Sequence, residues 1–260
     1  MTNSSVPPPL NPYQSLTLSL KRLKLSHILA EWQALEHRAT QENWSYAQFL
    51  LALCEGEANR RDQTRIVRAL SEAQLPCGKS FSNFEFAHVP SLNPATVMSF
   101  AQDVEWLNRA ENILVFGPSG VGKTHLASAI ARSMVEVGKR VKFMPATALV
   151  QLLQHAKLQL QLPTILNKFD RYELLLIDDL GYVKKSEAET SVLFELIAHR
   201  YERKSLLITA NQPFSQWDSI FTDSMMTVAA IDRLVHHATI IEVQAQSFRQ
   251  QAAMARVKKM

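Results

Sequence analysis

The stretch ENILVFGPSGVGKTHLASAI, residues 111–130, decides the fold that we predict for this chain. Residues 117–124 match the pattern G-x-x-x-x-G-K-[ST], in which backbone N–H groups surround phosphate oxygens while Lys and Thr reach phosphate and magnesium. An apolar run precedes the pattern and helix-forming residues follow it, which is the strand, loop and helix order that such a site requires. The phosphate-binding residues that we predict are Gly117, Pro118, Ser119, Gly120, Val121, Gly122, Lys123, Thr124 and His125.

Composition and charge exclude several classes of protein. The chain has 260 residues, of which 47% are hydrophobic, so it can bury a sizeable core and is not a disordered protein. No apolar run reaches the roughly 20 residues that cross a bilayer, and the start of the chain lacks a signal peptide, so we expect a cytoplasmic protein. Cys54 and Cys77 indicate neither a disulfide framework nor a zinc site, and we expect both thiols to be buried or half-buried. The net charge of +4 permits a nucleic-acid partner but does not establish one.

Proline positions and hydrophobic periodicity divide the chain into four parts. Residues 1–15 predict a disordered leader, and residues 16–75, which have helical spacing and no proline, predict a small all-α domain that binds DNA or a partner. Residues 76–94 predict a linker, and residues 95–260 predict an α/β domain. Five short apolar strands alternate with helices there and predict a parallel, helix-covered sheet: 113–116, 141–144, 174–177, 206–209 and 239–243.

Two aspartates follow the third of these strands. The carboxyl ends of parallel strands share one edge of a sheet, so these aspartates should lie beside the phosphate-binding loop. Asp178 is placed to hold Mg²⁺, partly through Thr124 and water, and Asp179 is the candidate general base. A pair of aspartates at a strand end is often only a turn, but its position 55 residues after Lys123 (178 − 123) makes the metal site the better interpretation.

Other polar residues lie near the ends of the fourth and fifth strands. Asn211 follows the fourth strand and is a candidate to orient the attacking water, although a turn residue before a proline is the simpler interpretation. Arg233 precedes the fifth strand and is a candidate arginine finger, which would reach a nucleotide held by a neighbouring subunit. Arg200 and Arg203 are alternatives for that role, and an ordinary surface position would also explain any of the three.

The motifs GPSGVGKT, LLLIDDLG, ITANQPF and DRL, in this order and at these separations, resemble the AAA+ superfamily, in the branch that contains DnaA and the DnaC-type helicase loaders. Within that branch the chain is most similar to the IstB family, the ATP-binding helper proteins of bacterial insertion sequences. The resemblance extends over nearly all of the chain from about residue 16 onward and includes GPSGVGKTHLASAIA, LLLIDDLGY, RYERKSLLITANQPFSQW and RALSEAQLPCGKSFSNFEF. It implies an AAA+ P-loop NTPase domain preceded by the small all-α domain.

The resemblance implies the same roles for the site residues: ATP and Mg²⁺ binding by the loop, a metal anchor and a base at the two aspartates, a sensor at Asn211 and a finger at Arg233. The chain departs from the AAA+ pattern in two ways that affect these roles. Most AAA+ ATPases have Glu where this chain has Asp179, which predicts slow or partner-dependent hydrolysis. Only residues 244–260 follow the fifth strand, so the usual helical lid should be reduced or absent, and its arginine missing or replaced by Arg249.

The resemblance also implies partners. Such helpers assemble with ATP on target duplex DNA, deform it, and recruit and stimulate a transposase; we expect a ring or helical filament with ATP at the subunit interfaces. The candidate DNA contacts are Arg61, Arg65 and Arg68 on one helix face and Lys184 and Lys185 after the third strand. A solvated helix face explains such a cluster more often, and any binding should be largely independent of sequence.

Two other functions stay open at this point. A DnaC-type helicase loader would share the ATPase core but use the amino-terminal helices to hold a helicase. A small-molecule P-loop kinase would use the same loop, but we find neither an acceptor pocket nor lid arginines in the sequence. The kinase is therefore the less favoured alternative.

Overall fold

The computed structural model describes residues 11–180, 186–213, 216–217, 224–245 and 247–248 of the chain. These residues fall into two units, which meet in the sequence between Val67 and Arg68. The first unit is helical and the second is built on a sheet. None of the described helices is both long and apolar enough to cross a membrane.

The helical unit consists of α1 (Pro12–Arg22), α2 (Ser26–Gln41) and the part of α3 (Tyr46–Ala73) that precedes residue 68. Helix α1 begins at Pro12, which needs no N–H partner in the first turn, and Asn11 Oδ1 accepts a hydrogen bond from the Tyr13 N–H at 3.1 Å. The helix thus starts inside the stretch predicted as a leader, residues 1–15. The buried side chains of this unit's apolar core are Leu20, Ile28, Trp32 and Leu53.

Glu57 of α3 caps the amino-terminal end of α2. Its Oε2 accepts hydrogen bonds from the backbone N–H groups of His27 at 2.8 Å and Ile28 at 3.3 Å, which α2 cannot satisfy itself. Its Oε1 accepts a hydrogen bond from Arg61 Nε at 2.8 Å. Burial would raise the pKa of Glu57, but the hydrogen bonds from Arg61 and the two amides lower it below its ordinary value. The ionised carboxylate therefore provides the cap that the side chain of Leu25, at the N-cap position, lacks.

The second unit is built on a five-stranded sheet in which every strand pair is parallel. Its strands are β1 (Asn112–Phe116), β2 (Val141–Pro145), β3 (Leu174–Leu180), β4 (Ser205–Ala210) and β5 (Ala238–Glu242), in the order β2-β3-β4-β1-β5. This arrangement confirms the predicted α/β fold with a five-stranded parallel sheet. All the carboxyl ends of the strands lie at one edge, where a ligand of an open α/β sheet binds.

Helices cover both faces of the sheet. One face carries α4 (Pro94–Gln102), α5 (Glu105–Asn108) and α6 (Lys123–Glu136), and the other carries α7 (Ala146–Leu158), α8 (Leu162–Phe169), α9 (Glu187–Arg200) and α10 (Ser224–His236). The apolar residues of β3 are fully buried between the two layers, because a parallel strand covered by helices has no solvent-facing side.

Residues 76–94, predicted as a linker, pack against the face that carries α6. Val89 and Leu92 are buried in that core, and Phe84 and Phe86 pack onto it with ring centroids 4.9 Å apart in an edge-to-face arrangement. Apolar residues recur every two or three positions in this stretch, between its proline and glycine residues. The stretch is therefore part of the second unit's core.

Both cysteines are exposed, which corrects the prediction that they are buried or half-buried. Cys54 follows the buried Leu53 in α3, and the rotation of about 100° per residue in a helix turns it away from the core. Cys77 follows Pro76 beyond the end of α3.

Candidate nucleotide-binding site

The loop between β1 and α6 requires glycine at two positions. Gly117 has φ +149°, and a Cβ added there would lie 2.2 Å from the carbonyl oxygen of Val243, so a larger residue does not fit. Gly122 has φ +102° and is the N-cap residue of α6. The N–H groups of the first turn of α6 are therefore directed into the loop, and such a helix start favours an anionic group.

The segment after β5 runs beside this loop. The Phe248 N–H donates a hydrogen bond to the Gly120 carbonyl oxygen at 3.1 Å. Four residues earlier, the Gln244 N–H donates to Ser91 Oγ at 3.0 Å, and the Ser91 hydroxyl lies 3.2 Å from the Gln244 carbonyl oxygen. The first contact joins Phe248 to the phosphate-binding loop, and the other two join Gln244 to Ser91, which lies shortly before α4.

Lys123 joins the loop to the end of β4. Its Nζ donates hydrogen bonds to the Pro118 carbonyl oxygen at 2.8 Å and to Asn211 Oδ1 at 2.7 Å, and the residue is only 5% exposed. Hydrogen bonds are electrostatically stronger in such a buried environment than in water. The structure thus brings together Lys123 and Asn211, two residues that the sequence predicts for one site.

A β-bulge shapes the carboxyl end of β3. Asp178 and Asp179 both stand opposite a single residue of β4, Thr209. Asp179 has φ +59°, a left-handed conformation in which Asp and Asn are enriched. The bulge leaves Asp178 buried, whereas Asp179 is exposed at the wall of the cavity beside the loop.

Thr209 connects the two aspartates. Its hydroxyl donates a hydrogen bond to Asp178 Oδ1 at 2.6 Å and accepts one from the Asp179 N–H at 2.9 Å. One hydroxyl can act in both ways because it has a proton and two lone pairs. Thr209 therefore sets the position of both carboxylates, a role that we did not assign from the sequence because it depends on the pairing of β3 with β4.

The cavity beside the loop has a volume of about 740 Å³. All the predicted loop residues except Gly117 and Pro118 line it, together with Asp178, Asp179 and Asn211. Its size is within the range of small-molecule sites, roughly 300–1,000 Å³. The predicted phosphate-binding, metal-binding and water-activating residues thus meet in one cavity.

The donor set in this cavity fits a magnesium ion. Asp178 and Thr124, whose side chains carry a carboxylate and a hydroxyl, both line the cavity. Mg²⁺ prefers hard oxygen ligands, usually one or two carboxylates together with waters and phosphate oxygens. Because Asp178 is buried and fixed by Thr209, it offers a carboxylate whose position does not depend on solvent.

The stretch 78–89 forms a wall of the cavity that we did not predict. Phe84 meets the ring of His125 edge-on, with centroids 5.2 Å apart, and His125 Nε2 lies 3.0 Å from the Ser80 carbonyl oxygen. Phe248 also lines the cavity. Aromatic side chains suit the flat faces of a nucleobase. The repeated phenylalanines of FSNFEF were the only sequence signal for this wall.

Arg200 is a structural residue, which removes it as an alternative arginine finger. It is completely buried, and its guanidinium donates hydrogen bonds to the carbonyl oxygens of Phe169 and Tyr172 at 3.1 Å and of Ser205 at 2.9 Å. Burial lowers the pKa of Arg200 to about 10, so the group is still charged near neutral pH. Its charge holds the start of β4 to the end of α8 and cannot reach another subunit.

The other two candidate fingers also lie outside the wall of the cavity. Arg203 is exposed and forms an ion pair with Asp170 at 3.0 Å. Arg233 is half-buried on α10, where its Nη1 donates to the Ala229 carbonyl oxygen at 3.0 Å and its guanidinium lies 5.2 Å from the ring centroid of Phe194. A finger that acts on a neighbouring subunit need not touch its own cavity.

The predicted DNA contacts differ in their surroundings. Arg61 is engaged within the helical unit, because it binds the buried Glu57. Arg65 is 59% exposed and lies 3.3 Å from Asp62, and Arg68 is exposed. Three predicted residues lie outside the part of the chain that the structure describes: Lys184, Lys185 and Arg249.

Proteins of similar sequence are associated with insertion sequences. A family model described as IstB-like ATP binding protein matches residues 18–255. A protein of Sinorhizobium fredii, described as an insertion sequence ATP-binding protein, is 49% identical over 239 residues, which are 92% of this chain and 80% of that protein. A protein of Pseudomonas aeruginosa, described as the ATP-binding protein of insertion sequence IS21, is 34% identical over 234 residues, 90% of this chain and 88% of that protein.

Solved structures with a similar fold include DnaA from Aquifex aeolicus bound to AMPPCP, with a TM-score of 0.54 and 18% identity over 72% of this chain and 57% of that chain. DnaI is similar with a TM-score of 0.52 and 22% identity over 64% of this chain and 92% of that chain. At such identities the likeness concerns the fold, which is that of AAA+ P-loop domains.

Proposed function

This chain belongs to the IstB-like ATP-binding protein family, and we propose that it hydrolyses ATP as the helper of an insertion sequence, assembling on duplex DNA, remodelling it, and recruiting and stimulating the transposase. The observation that carries this proposal is the cavity that Lys123, Asp178 and Asn211 share. A phosphate-binding loop alone binds nucleotide, whereas the added metal anchor and water-orienting amide provide the parts that hydrolysis needs.

The hydrolytic roles follow from the positions of the side chains. The loop N–H groups and Lys123 bind the phosphates, and Thr124 and Asp178 would hold a Mg²⁺ ion, which would neutralise charge on the phosphate oxygens. Asn211, already within hydrogen-bond distance of Lys123, orients the attacking water. Asp179 accepts one proton of that water as the water oxygen bonds to the γ-phosphorus and the bond from this phosphorus to the leaving ADP oxygen breaks.

The bulge in β3 affects how far the side chain of Asp179 reaches toward the attacking water. Asp179 is one methylene shorter than the Glu of most AAA+ ATPases. Its left-handed backbone and its exposure at the cavity wall compensate for part of the lost reach, since the bulge turns the residue out of the strand. We expect hydrolysis that is slow in the isolated protein and faster when a partner fixes the water.

Arg233 serves as the finger in the neighbouring subunit of a ring or filament. Arg233→Ala protein should bind ATP but hydrolyse it at least roughly 1,000-fold more slowly, in line with known arginine fingers. Mixed with Lys123→Ala subunits, it should regain part of the activity, because each variant supplies the group that the other lacks. Arg203→Ala is the matched control and should keep normal turnover; a mixture without any recovery would contradict a finger that acts between subunits.

Duplex DNA is the partner that the family and the exposed arginines of α3 favour. The relatives are described only by their insertion sequences and by ATP binding, so the DNA and transposase steps rest on the proposal. Arg65 and Arg68 are exposed, as phosphate contacts require. Contacts of this kind release counterions, so the affinity should fall steeply with salt.

The test is ATP turnover by the purified protein with and without random-sequence duplex DNA, at low and at high salt. Turnover that rises with DNA, and loses this stimulation at high salt, supports the proposal. An ATP turnover rate that is unchanged by DNA but changes when a replicative helicase is added would instead identify a helicase loader. ADP formation only in the presence of a metabolite acceptor would identify a kinase.

A further inference from the structure

A second cluster of ligand-type side chains lies at the opposite end of the sheet from the nucleotide cavity. His236 ends α10, His237 immediately precedes β5, and Glu202 lies in the turn between α9 and β4. Because the strands are parallel, the starts of β4 and β5 share the amino-terminal edge of the sheet, away from the loop that follows β1. The cluster is therefore separate from the site already described.

The three side chains converge on one point. Among the described residues, this is the one group of His, Cys, Asp or Glu in which three candidate ligand atoms all lie within 4.8 Å of one another. Glu202 Oε1 is 3.5 Å from His237 Nε2 and 4.0 Å from His236 Nδ1. Four ligands at about 2 Å around a tetrahedral zinc ion are roughly 3.4 Å apart, so small rotations of these exposed side chains would close the site.

Tyr201 orients the cluster from one side. Its hydroxyl lies 2.6 Å from His236 Nδ1, and its ring stacks on that imidazole with centroids 6.0 Å apart. The hydroxyl can turn from His236 Nδ1 to Glu202 when the imidazole lone pair is taken by another group.

The electrostatics of this region favour a cation. The carbonyl ends of α10 point toward His236, and the carboxyl end of a helix carries a partial negative charge. Glu202 adds a full negative charge beside both imidazoles. Two imidazoles and one carboxylate in this field attract a divalent transition-metal ion, whereas Mg²⁺ and Ca²⁺ prefer sites built from oxygen ligands alone.

We propose that Glu202, His236 and His237 form a site for a divalent transition-metal ion of the zinc type, with water completing the coordination. Two imidazoles and one carboxylate are a common ligand set for zinc with an open fourth position. The bound ion would tie the turn before β4 to the end of α10, the helix that carries Arg233. The simpler alternative is a surface ion pair between Glu202 and the histidines, which binds no metal.

The experiment is calorimetric titration of the full chain, without a histidine tag, with Zn²⁺ alone near neutral pH in excess Mg²⁺, which keeps the Asp178 site occupied. The variants are His236→Ala, His237→Ala and Glu202→Gln, and His155→Ala, an exposed histidine on α7, is the matched control. We expect one Zn²⁺ per chain, an affinity at least roughly tenfold lower in each of the three variants, and no change in the control. Co²⁺ in place of Zn²⁺ should give a visible d–d absorption band that the three variants lose.

A second measurement guards against misfolded variants. Zn²⁺ should raise the melting temperature of the parent and of His155→Ala, but not that of the three ligand variants, whose melting temperatures without metal should equal the parent's because the side chains are exposed. Zinc binding that is the same in parent and variants, or a parent that binds no zinc at a saturable site, would overturn the proposal. Neither readout depends on ATP, so the proposed ATPase function can fail while this inference stands.

Discussion

The nucleotide cavity and the arginines of α3 differ in how firmly their surroundings hold them. In the cavity, Lys123 and Asp178 are buried and hydrogen-bonded to Asn211 and Thr209. On α3, an arginine such as Arg65 is largely exposed and lies 3.3 Å from an exposed acid, Asp62. A buried network fixes its geometry before a ligand arrives, whereas an exposed cation acquires its geometry from the ligand. Substitutions should therefore have large and specific effects in the first region and small, graded effects in the second.

Of the substitutions in these two regions, Lys123→Ala should have the largest effect on ATP binding. The variant loses a charge-assisted contact with the phosphates, so ATP affinity should fall by at least roughly 100-fold. Fluorescence titration with a labelled ATP analogue measures this change. Lys139→Ala, which removes a lysine outside the cavity wall, is the control and should bind normally. Normal ATP binding by Lys123→Ala would contradict the expectation that substitutions have larger effects in the nucleotide cavity than at the arginines of α3.

Asp179→Ala should separate binding from chemistry. Removal of the base should lower the rate of ATP hydrolysis by roughly 100-fold or more while ATP affinity changes little, because no phosphate contact is lost. Single-turnover hydrolysis together with equilibrium binding measures both quantities. Under the proposed function the variant should also accumulate in the assembled state, because ATP hydrolysis would loosen the assembly. An Asp179→Ala protein with normal hydrolysis would refute the assignment of the base.

Thr209→Val tests whether the network itself positions the aspartates. Valine keeps the shape of threonine but cannot bond to Asp178 or to the Asp179 N–H, so we expect a loss of about 1–3 kcal/mol in the free energy of unfolding. The rate of hydrolysis should fall by roughly tenfold or more, with a smaller change in ATP affinity, because a displaced base affects the chemical step first. Thr209→Ser retains the hydroxyl and should restore the rate. A Val variant that loses stability but keeps its rate would show that Thr209 only supports the fold.

The smallest effect should come from Arg65→Ala. Loss of one exposed phosphate contact should weaken binding to all duplex sequences alike and reduce the slope of log affinity against log salt by about one. Filter binding or fluorescence anisotropy over a salt series measures this slope. Arg61→Ala makes an informative comparison, because it also removes the partner of Glu57 and should lower the melting temperature of the helical unit. An unchanged slope for Arg65→Ala would remove this residue from the DNA-binding surface.

The sequence predicts the parts of the site that depend on local order. The loop from Gly117 onward and Asp178 follow apolar strands directly, so strand, loop and helix order suffices to place them at the same edge of the sheet. The role of Thr209 could not be assigned from the sequence, because it arises from a bulge in the pairing of two strands about 30 residues apart. The wall that includes Phe84 was not predicted because its proline and glycine residues resemble those of a linker, while its aromatic side chains find their contacts in distant segments.

The presence of an arginine in the sequence was the weakest guide to a functional residue. Arg200 and Arg203 lie three positions apart at the end of the same helix region, yet one is fully buried among carbonyl oxygens and the other is exposed. Arg200 is the last residue of α9 and lies against the end of α8, whereas Arg203 lies in the turn that follows, so the contact of α9 with α8 decides which of the two is enclosed. Such a decision depends on tertiary packing that a single sequence does not display.

The left-handed backbone at Asp179 restricts which amino acids can occupy that position. Asp and Asn adopt this conformation more readily than other residues with a side chain, because their short polar groups can bond to the nearby backbone. Replacement by Glu would lengthen the side chain toward the water but would also favour a return of the strand to ordinary pairing. A longer residue at the position of the proposed base would therefore require that the bulge and its partner Thr209 be redesigned with it, since the shape of the strand and the residue at position 179 are coupled.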